Sequence, residues 1–284
     1  MLSITVVAPA KINLHLEVLG RRSDGYHDLE TVFQTLSWHD VVTVSIDQDG
    51  PPQTLVTCSD AALNGPHNLA HHAITALRRT ACDLGTVRIH IAKHLPTGGG
   101  LGGGSSDAAA VLRAVRSLMP EPPPIATLTA VATELGADVP FFLHGGTAYA
   151  DGRGDHITPL ADLPPQTVTL LLPPVACATP QVFAALNDAE RGPRQACGPV
   201  ALTTKLQHDH GDRHNRLQAA CARAYPAMAP LFMWLETRAR PWMLSGSGST
   251  CVVFTDDLID DPPPGVRVKA SRFAARAEMG RAKT

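Results

Sequence analysis

Between Pro96 and Ser106 the chain reads PTGGGLGGGSS, six glycines in seven residues interrupted only by Leu101, and the run DAAAVLRAVRSLM follows directly. No helix or strand interior carries glycine at that density without a large loss of backbone entropy, so the segment is a loop. The Ala- and Leu-rich run after it is a helix, and Ser105, Ser106 or Asp107 is available to cap its first turn. A glycine loop that ends on a helix N-terminus turns several backbone N–H groups and a partial positive charge toward one point, which suits a polyphosphate. A merely flexible linker would be Gly/Ser-rich without a capped helix attached. Gly98, Gly100 and Gly103 satisfy G-x-G-x-x-G, yet helix continues where a dinucleotide-binding unit needs its second strand. No lysine follows the glycines, so the Walker pattern fails as well. A dehydrogenase is therefore disfavoured and a non-Walker nucleotide loop favoured.

The rest of the composition narrows the partners. Lys plus Arg number 24 and Asp plus Glu 26 among 284 residues, a net charge of −2, and this supplies no basic surface for polymeric nucleic acid. The six cysteines, Cys58, Cys82, Cys177, Cys197, Cys221 and Cys251, form no short metal or redox pair, and free thiols in a reducing cytoplasm are the expectation. The start MLSITVVAPAKINL lacks the basic and long apolar regions of a signal peptide, and no stretch approaches the roughly 18 apolar residues of a membrane span. A cytoplasmic chain with no membrane partner is expected, as a monomer or a homodimer.

Along the chain, KINLHLEVLG from Lys11 alternates apolar and polar residues and predicts a half-buried strand, as do VVTVSI and VRIHI. A helix is predicted from an Asn68 cap through Leu69, Ala73, Leu77 and Ala81, stopping at Gly85. Pro-rich segments punctuate the remainder, and a domain boundary is placed near Asp162 to Gln166. Beyond it VTLLL predicts a buried strand, Asn215 to Arg240 a helix broken at Pro226, and WMLSGSGSTCVVF a strand, a glycine turn and a strand. His208, His210 and His214 with Asp209 and Asp212 look like a ligand cluster, but Gly211 weakens any helical framework, so no metal is assigned there.

PTGGGLGGGSSDAA resembles the ATP loop of the GHMP kinase superfamily; APAKINLHL (Ala8 to Leu16) resembles its first motif and LSGSGSTCVVF (Leu244 to Phe254) its third. Asp24-Gly-Tyr-His27, Gly136-Ala-Asp-Val-Pro-Phe-Phe142 and Thr179-Pro180-x-x-Phe183 are similar to the branch acting on a cytidine-diphosphate-linked methylerythritol in the non-mevalonate isoprenoid route. These motifs span nearly the whole chain. The resemblance implies an α+β GHMP kinase fold: an N-terminal α/β domain like that of a small-subunit ribosomal protein (residues 1–163) and a C-terminal ferredoxin-like α+β domain (residues 164–284). It implies ATP-dependent phosphorylation of that substrate's 2-hydroxyl, with ATP as co-substrate and Mg²⁺ required by the reaction.

Residue by residue, the resemblance makes Asp138 the group that takes or orients the hydroxyl proton and Lys11 the cation that keeps it ionised. An ammonium in an otherwise apolar strand start is costly unless it meets an anion, which is an independent reason to pair them. ATP binding falls to Pro96, Thr97, Gly98, Gly99, Gly100, Leu101, Gly102, Gly103, Gly104, Ser105 and Ser106, with Asn68 and Lys93 nearer the nucleoside. Tyr26 and Phe183 match the rings that sandwich the cytosine, His27 the group on its edge, Asn13 a residue near the erythritol hydroxyls, and Thr179 and Pro180 the substrate loop. Gly246, Ser247 and Gly248 form a second glycine turn near the phosphates. Asp107 is read as serving the helix cap rather than a metal.

The bland alternatives are a structural Lys11–Asp138 salt bridge and core packing for Phe183. At the level of function, the alternatives are a homoserine- or mevalonate-type kinase, which leaves Tyr26 and Phe183 no base to stack on, and a catalytically silent nucleotide-binding regulator. Two departures from the family pattern stand out. Gln218 replaces the more usual acidic residue of Asn-x-Leu-Glu, and the segment after Phe254 is too short for the helix expected there.

Overall fold

The computed structural model describes residues 1–80, 83–195, 198–208, 213–238, 240–257 and 259–280. Ala81, Cys82, Cys197, Asp209, His210, Gly211 and Asp212 lie outside them. Two sheets carry the chain. In the first, β1 (Leu2–Arg21) and β2 (His27–Asp47) form a long antiparallel pair. The two halves of β2 take different second partners: β5 (Thr147–Gly152) pairs with Leu29 to Gln34 and β4 (Thr86–Ala92) with Val41 to Asp47. β3 (Thr54–Cys58) and β6 (His156–Pro159) extend these two branches. The second sheet is antiparallel, in the order β11 (Arg267–Arg272), β7 (Thr167–Leu172), β10 (Cys251–Val253), β9 (Trp242–Leu244). Its strands come from the C-terminal half, yet β8 (His214–Asn215) from that half pairs in parallel with His15 and Leu16 of β1.

Helices α1 (Leu69–Arg78), α2 (Gly103–Leu118), α3 (Ile125–Leu135) and α4 (Val139–His144) pack on the first sheet. The alanines Ala108, Ala109 and Ala110 let α2 lie close against it, in a core shared with Val42, Val44, Ile89 and Ile91. Helices α5 (Thr179–Ala184), α7 (Leu217–Ala224) and α8 (Ala229–Glu236) cover the far face of the second sheet, over Leu171, Leu244 and Val253. α6 (Gly198–His208) contributes Leu202 and Leu206 to the layer between the sheets.

That middle layer corrects the reading of β1. Alternation predicts one polar, solvated face, but every residue from Val6 to Val18 except Val7 is buried. Ala10, Ile12 and Leu14 pack against Val168, Leu170 and Val252 of the second sheet, while Lys11, Asn13, His15 and Glu17 point into enclosed polar surroundings. Two helix predictions change as well. α1 begins on its Asn68 cap but ends at Arg78. α2 begins on Gly102, a left-handed residue, with no side-chain cap from Ser105, Ser106 or Asp107. Among the described residues no helix lies between β10 and β11, as the short segment after Phe254 suggests. No described helix is long and apolar enough to cross a membrane.

Candidate active site

The reacting end of the site is built where β1 is irregular. The register against β2 shifts between Pro9 and Lys11 and again between Asn13 and His15. Pro9 has no N–H for the ladder, and bulges of this kind re-aim side chains. Freed from the ladder, the Lys11 backbone N–H donates to Leu101 O of the glycine loop at 3.0 Å. The Lys11 ammonium, 4% exposed, lies 3.3 Å from Asp138 Oδ2 and donates to Asn13 Oδ1 at 2.9 Å. Asn13 passes the chain on to Thr31 Oγ1 at 2.8 Å, and Thr31 donates to His15 O at 2.7 Å, which fixes the amide's orientation. Asp138 stands at the start of α4, above the buried Val139, Pro140, Phe141 and Phe142, and its side chain is 35% exposed on the cavity side.

The glycine loop lies over this pair and docks on the second glycine turn. Ser245 Oγ donates to Gly100 O at 3.0 Å and the Thr250 N–H donates to Gly99 O at 3.2 Å. At two positions only glycine fits. A Cβ on Gly100, whose φ is +74°, would stand 2.1 Å from Ser245 O, and one on Gly102, φ +71°, would stand 2.8 Å from the Phe142 ring. Asn215 fastens the second turn, donating to Leu244 O and Gly246 O and accepting from the Leu217 N–H. Gln218 accepts from the Leu244 N–H at 3.2 Å, a role for which an amide oxygen serves as well as a carboxylate. Thr179 Oγ1 and Ser247 Oγ, 2.8 Å apart, tie the start of α5 to the same turn.

These elements enclose a cavity of about 490 Å³. Lys11, Asn13, Asn68, Lys93, Asp138, Thr179, Phe183, Gly246, Ser247 and Gly248 line it together with the loop from Pro96 through Ser105. Ser106 is behind the loop, fully buried, and its hydroxyl has no hydrogen-bond partner. Asn68 lines the cavity while it caps α1 and donates to Leu63 O. Lys93 sits between two carboxylates, 2.5 Å from Asp40 Oδ2 and 2.7 Å from Asp107 Oδ2. Burial alone would depress the Lys93 ammonium, but Asp107 and Asp40 outweigh it and hold its pKa above the ordinary lysine value. Burial lifts Asp107 to about 7 against the pull of Lys93, with the Asp40 charge adding to the lift. Asp107 is thus a partner of Lys93 rather than a helix cap.

The base-binding candidates divide. Phe183 faces the cavity, whereas His27 does not line it and reaches the site only through its ring, stacked on Phe183 with centroids 4.8 Å apart. Burial, with Arg191 and Arg21 nearby, pushes the His27 pKa down, so the imidazole is neutral at pH 7. Tyr26 is 57% exposed and outside the cavity lining, with the Arg153 guanidinium 5.1 Å from its ring centroid. Pro180 is an exposed residue in the first turn of α5 and does not line the cavity. The reading from sequence overlooked Thr31, Asp40 and Arg153 and gave Asn215 no role, since these roles depend on partners remote in the chain. It also grouped His214 with His208 and His210. In the structure His214 Nε2 and Arg216 Nε instead bond the two oxygens of buried Glu17, and the His214 ring lies beside His15. Glu17, His15 and His214 form a three-donor group outside the cavity lining.

A glycine loop on a helix N-terminus, a second glycine turn locked to it and a Lys–Asp pair facing the same cavity define a GHMP-type small-molecule kinase. Residues 68–146 match the family described as GHMP kinases N terminal domain. Over 250 residues, 86% of this chain and 82% of the relative, it is 41% identical to the 4-diphosphocytidyl-2-C-methyl-D-erythritol kinase of Aromatoleum aromaticum. It is 39% identical to the same kinase of Ralstonia nicotianae, over 96% of this chain and 92% of the relative. The chain therefore belongs to the 4-diphosphocytidyl-2-C-methyl-D-erythritol kinase family. A crystal structure of a 4-(cytidine 5'-diphospho)-2C-methyl-D-erythritol kinase superposes with a TM-score of 0.79 at 32% identity, covering 96% of this chain and all of that one. A homoserine kinase from Cytophaga hutchinsonii shares the fold, at a TM-score of 0.63 and 15% identity over 96% of this chain and 95% of that one.

Proposed function

We propose that this chain transfers the γ-phosphoryl group of ATP to the 2-hydroxyl of 4-diphosphocytidyl-2-C-methyl-D-erythritol, as a cytoplasmic step in isoprenoid precursor synthesis. The observation that carries the mechanism is the 3.3 Å Lys11–Asp138 pair directly beneath the glycine loop. Phosphoryl transfer asks a protein mainly for positioning and for charge complementary to the phosphates. Asp138 Oδ2 accepts the substrate's hydroxyl proton as the new O–P bond forms and the bond to ADP breaks, and ADP leaves with that electron pair. Lys11 pairs with Asp138 and, locked by Asn13 and Thr31, donates toward the charge that develops on the transferring oxygens. The loop from Pro96 to Ser106 receives the phosphates of ATP, and Asn68 and Lys93 receive the nucleoside.

Mg²⁺ belongs to this reading. The buried Ser106 hydroxyl and Asp107 Oδ1 have no hydrogen-bond partner and are hard-oxygen groups at the start of α2, suited to a phosphate-bound magnesium ion. Bound there, the ion would neutralise phosphate charge. At the other end Phe183, its ring stacked on the neutral His27, offers an uncharged aromatic surface for cytosine. The N-terminal unit, residues 1–163, would hold ATP, and residues 164–284 would contribute Phe183 and the second glycine turn. Asp138→Asn tests the mechanism. It should lower kcat by about 10²–10⁴-fold while the ATP dissociation constant, read by calorimetry, stays within about twofold. A near-normal kcat would remove Asp138 from proton transfer.

A further inference from the structure

The wall of the cavity between its two ends is the turn Arg153–Gly154, to which none of the motifs gives a role. Both residues line the cavity. The Arg153 guanidinium lies 5.1 Å from the Tyr26 ring centroid, at the end assigned to the base. A Cβ on the next residue, Gly154, would stand 3.8 Å from Leu29 Cδ1 and 3.9 Å from Phe33 Cζ. The Phe33 ring in turn carries Lys11 Nζ at 5.1 Å from its centroid. Two adjacent residues therefore connect Tyr26 with the Phe33 ring that lies beside Lys11. In a substrate with cytidine at one end and methylerythritol at the other, the diphosphate occupies that middle stretch.

Arg153 is also held ready for an anion. The buried Asp155 accepts from Nε at 3.0 Å and from Nη2 at 2.6 Å, and a second oxygen takes the Arg153 backbone N–H at 3.1 Å. One edge of the guanidinium is thereby fixed, while Nη1 makes no hydrogen bond to any described residue. Of the other lysines and arginines on the cavity wall, Lys11 is engaged by Asp138 and Asn13, and Lys93 by Asp40 and Asp107. An oriented guanidinium with free donors is well matched to phosphate oxygens, since such charge-assisted bonds are directional and strong. We infer that Arg153 binds the diphosphate of the acceptor substrate and sets the preference for a cytidine diphosphate over an uncharged cytidine. This rests on the cytidyl reading given above.

Competition against the acceptor substrate separates the two levels. Inhibition constants for cytidine and for CDP are measured with the wild-type enzyme, Arg153→Gln and Arg153→Lys, alongside the KM for ATP. The wild type should bind CDP about tenfold more tightly than cytidine. Arg153→Gln should bring the two within about twofold at unchanged cytidine inhibition and ATP KM, with Arg153→Lys intermediate. A wild-type CDP-to-cytidine ratio in Arg153→Gln overturns the inference, as does an equal loss of cytidine, CDP and ATP binding, the mark of a structural arginine. Failure of both cytidine and CDP to compete with the wild-type enzyme overturns the cytidyl reading itself, and the inference with it.

Discussion

Lys93 and its two carboxylates show how much charge a single buried ammonium organises beside the glycine loop. Asp40 is fully buried and also accepts the His94 and Leu95 backbone N–H groups, so it is the fixed partner; Asp107 is the surplus charge, lifted to about 7. Since an unfolded aspartate titrates near 3.9, between pH 4 and 7 the folded protein retains a proton that the unfolded chain has released. Stability therefore falls as pH rises through that window. Lys93, held above its ordinary value, stays charged throughout and adds no slope there. Asp107→Asn keeps an acceptor for Lys93 without the charge. Its thermal midpoint at pH 8 should exceed the wild type's by a few degrees, and the slope between pH 4 and 7 should flatten in thermal scans. A wild-type slope in the variant would assign that proton elsewhere. Lys11 could be singled out from the sequence because an ammonium among Ala, Ile and Leu demands an anion. Asp40, 53 positions from Lys93, lies inside strand β2 just before the VVTVSI pattern, and Arg153 sits in a turn that reads like any surface loop. Nothing local marks either.

The two glycine segments act as one element, because Gly99 and Gly100 carbonyls accept from Thr250 and Ser245 across more than a hundred residues. A methyl at Gly100 would meet Ser245 O at 2.1 Å from a left-handed backbone, whereas a methyl at Gly104 meets nothing within 4 Å. Gly100→Ala should lower the thermal midpoint by several degrees and weaken ATP binding at least tenfold, while Gly104→Ala leaves the midpoint within about two degrees. Equal midpoints for the two variants in parallel scans would show that the loops do not depend on this junction. Glycine density identified the loop, and the Ala- and Leu-rich run the helix after it. The way the helix starts was not readable: Ser105, Ser106 and Asp107 all suit a cap, and only docking against Phe142 and Lys11 makes left-handed Gly102 the start instead. Strand β1 misled similarly, since alternation reports which residues share a face, not whether a second sheet covers that face.

For the whole molecule, the decisive feature is that the cavity is shared. Lys11, Asp138 and the glycine loop come from the N-terminal half, Phe183, Thr179 and Ser247 from the C-terminal half, and β8 fastens the halves along β1. Motif order along the chain identified the parts; their convergence depends on the Thr179–Ser247 and Asn215–Gly246 bonds, which no short-range pattern encodes. On the proposed reading, a cavity lined by Phe183 from one half and by Lys11 and Asp138 from the other is suited to an acceptor carrying both a base and a hydroxyl. Homoserine, mevalonate and galactose carry a hydroxyl but no base to place against Phe183. The direct measurement is ADP release by the purified chain with Mg²⁺ and ATP across these four alcohols. The account predicts turnover with 4-diphosphocytidyl-2-C-methyl-D-erythritol and only background with the other three. Turnover of any of those three, with none of the cytidyl substrate, would contradict it.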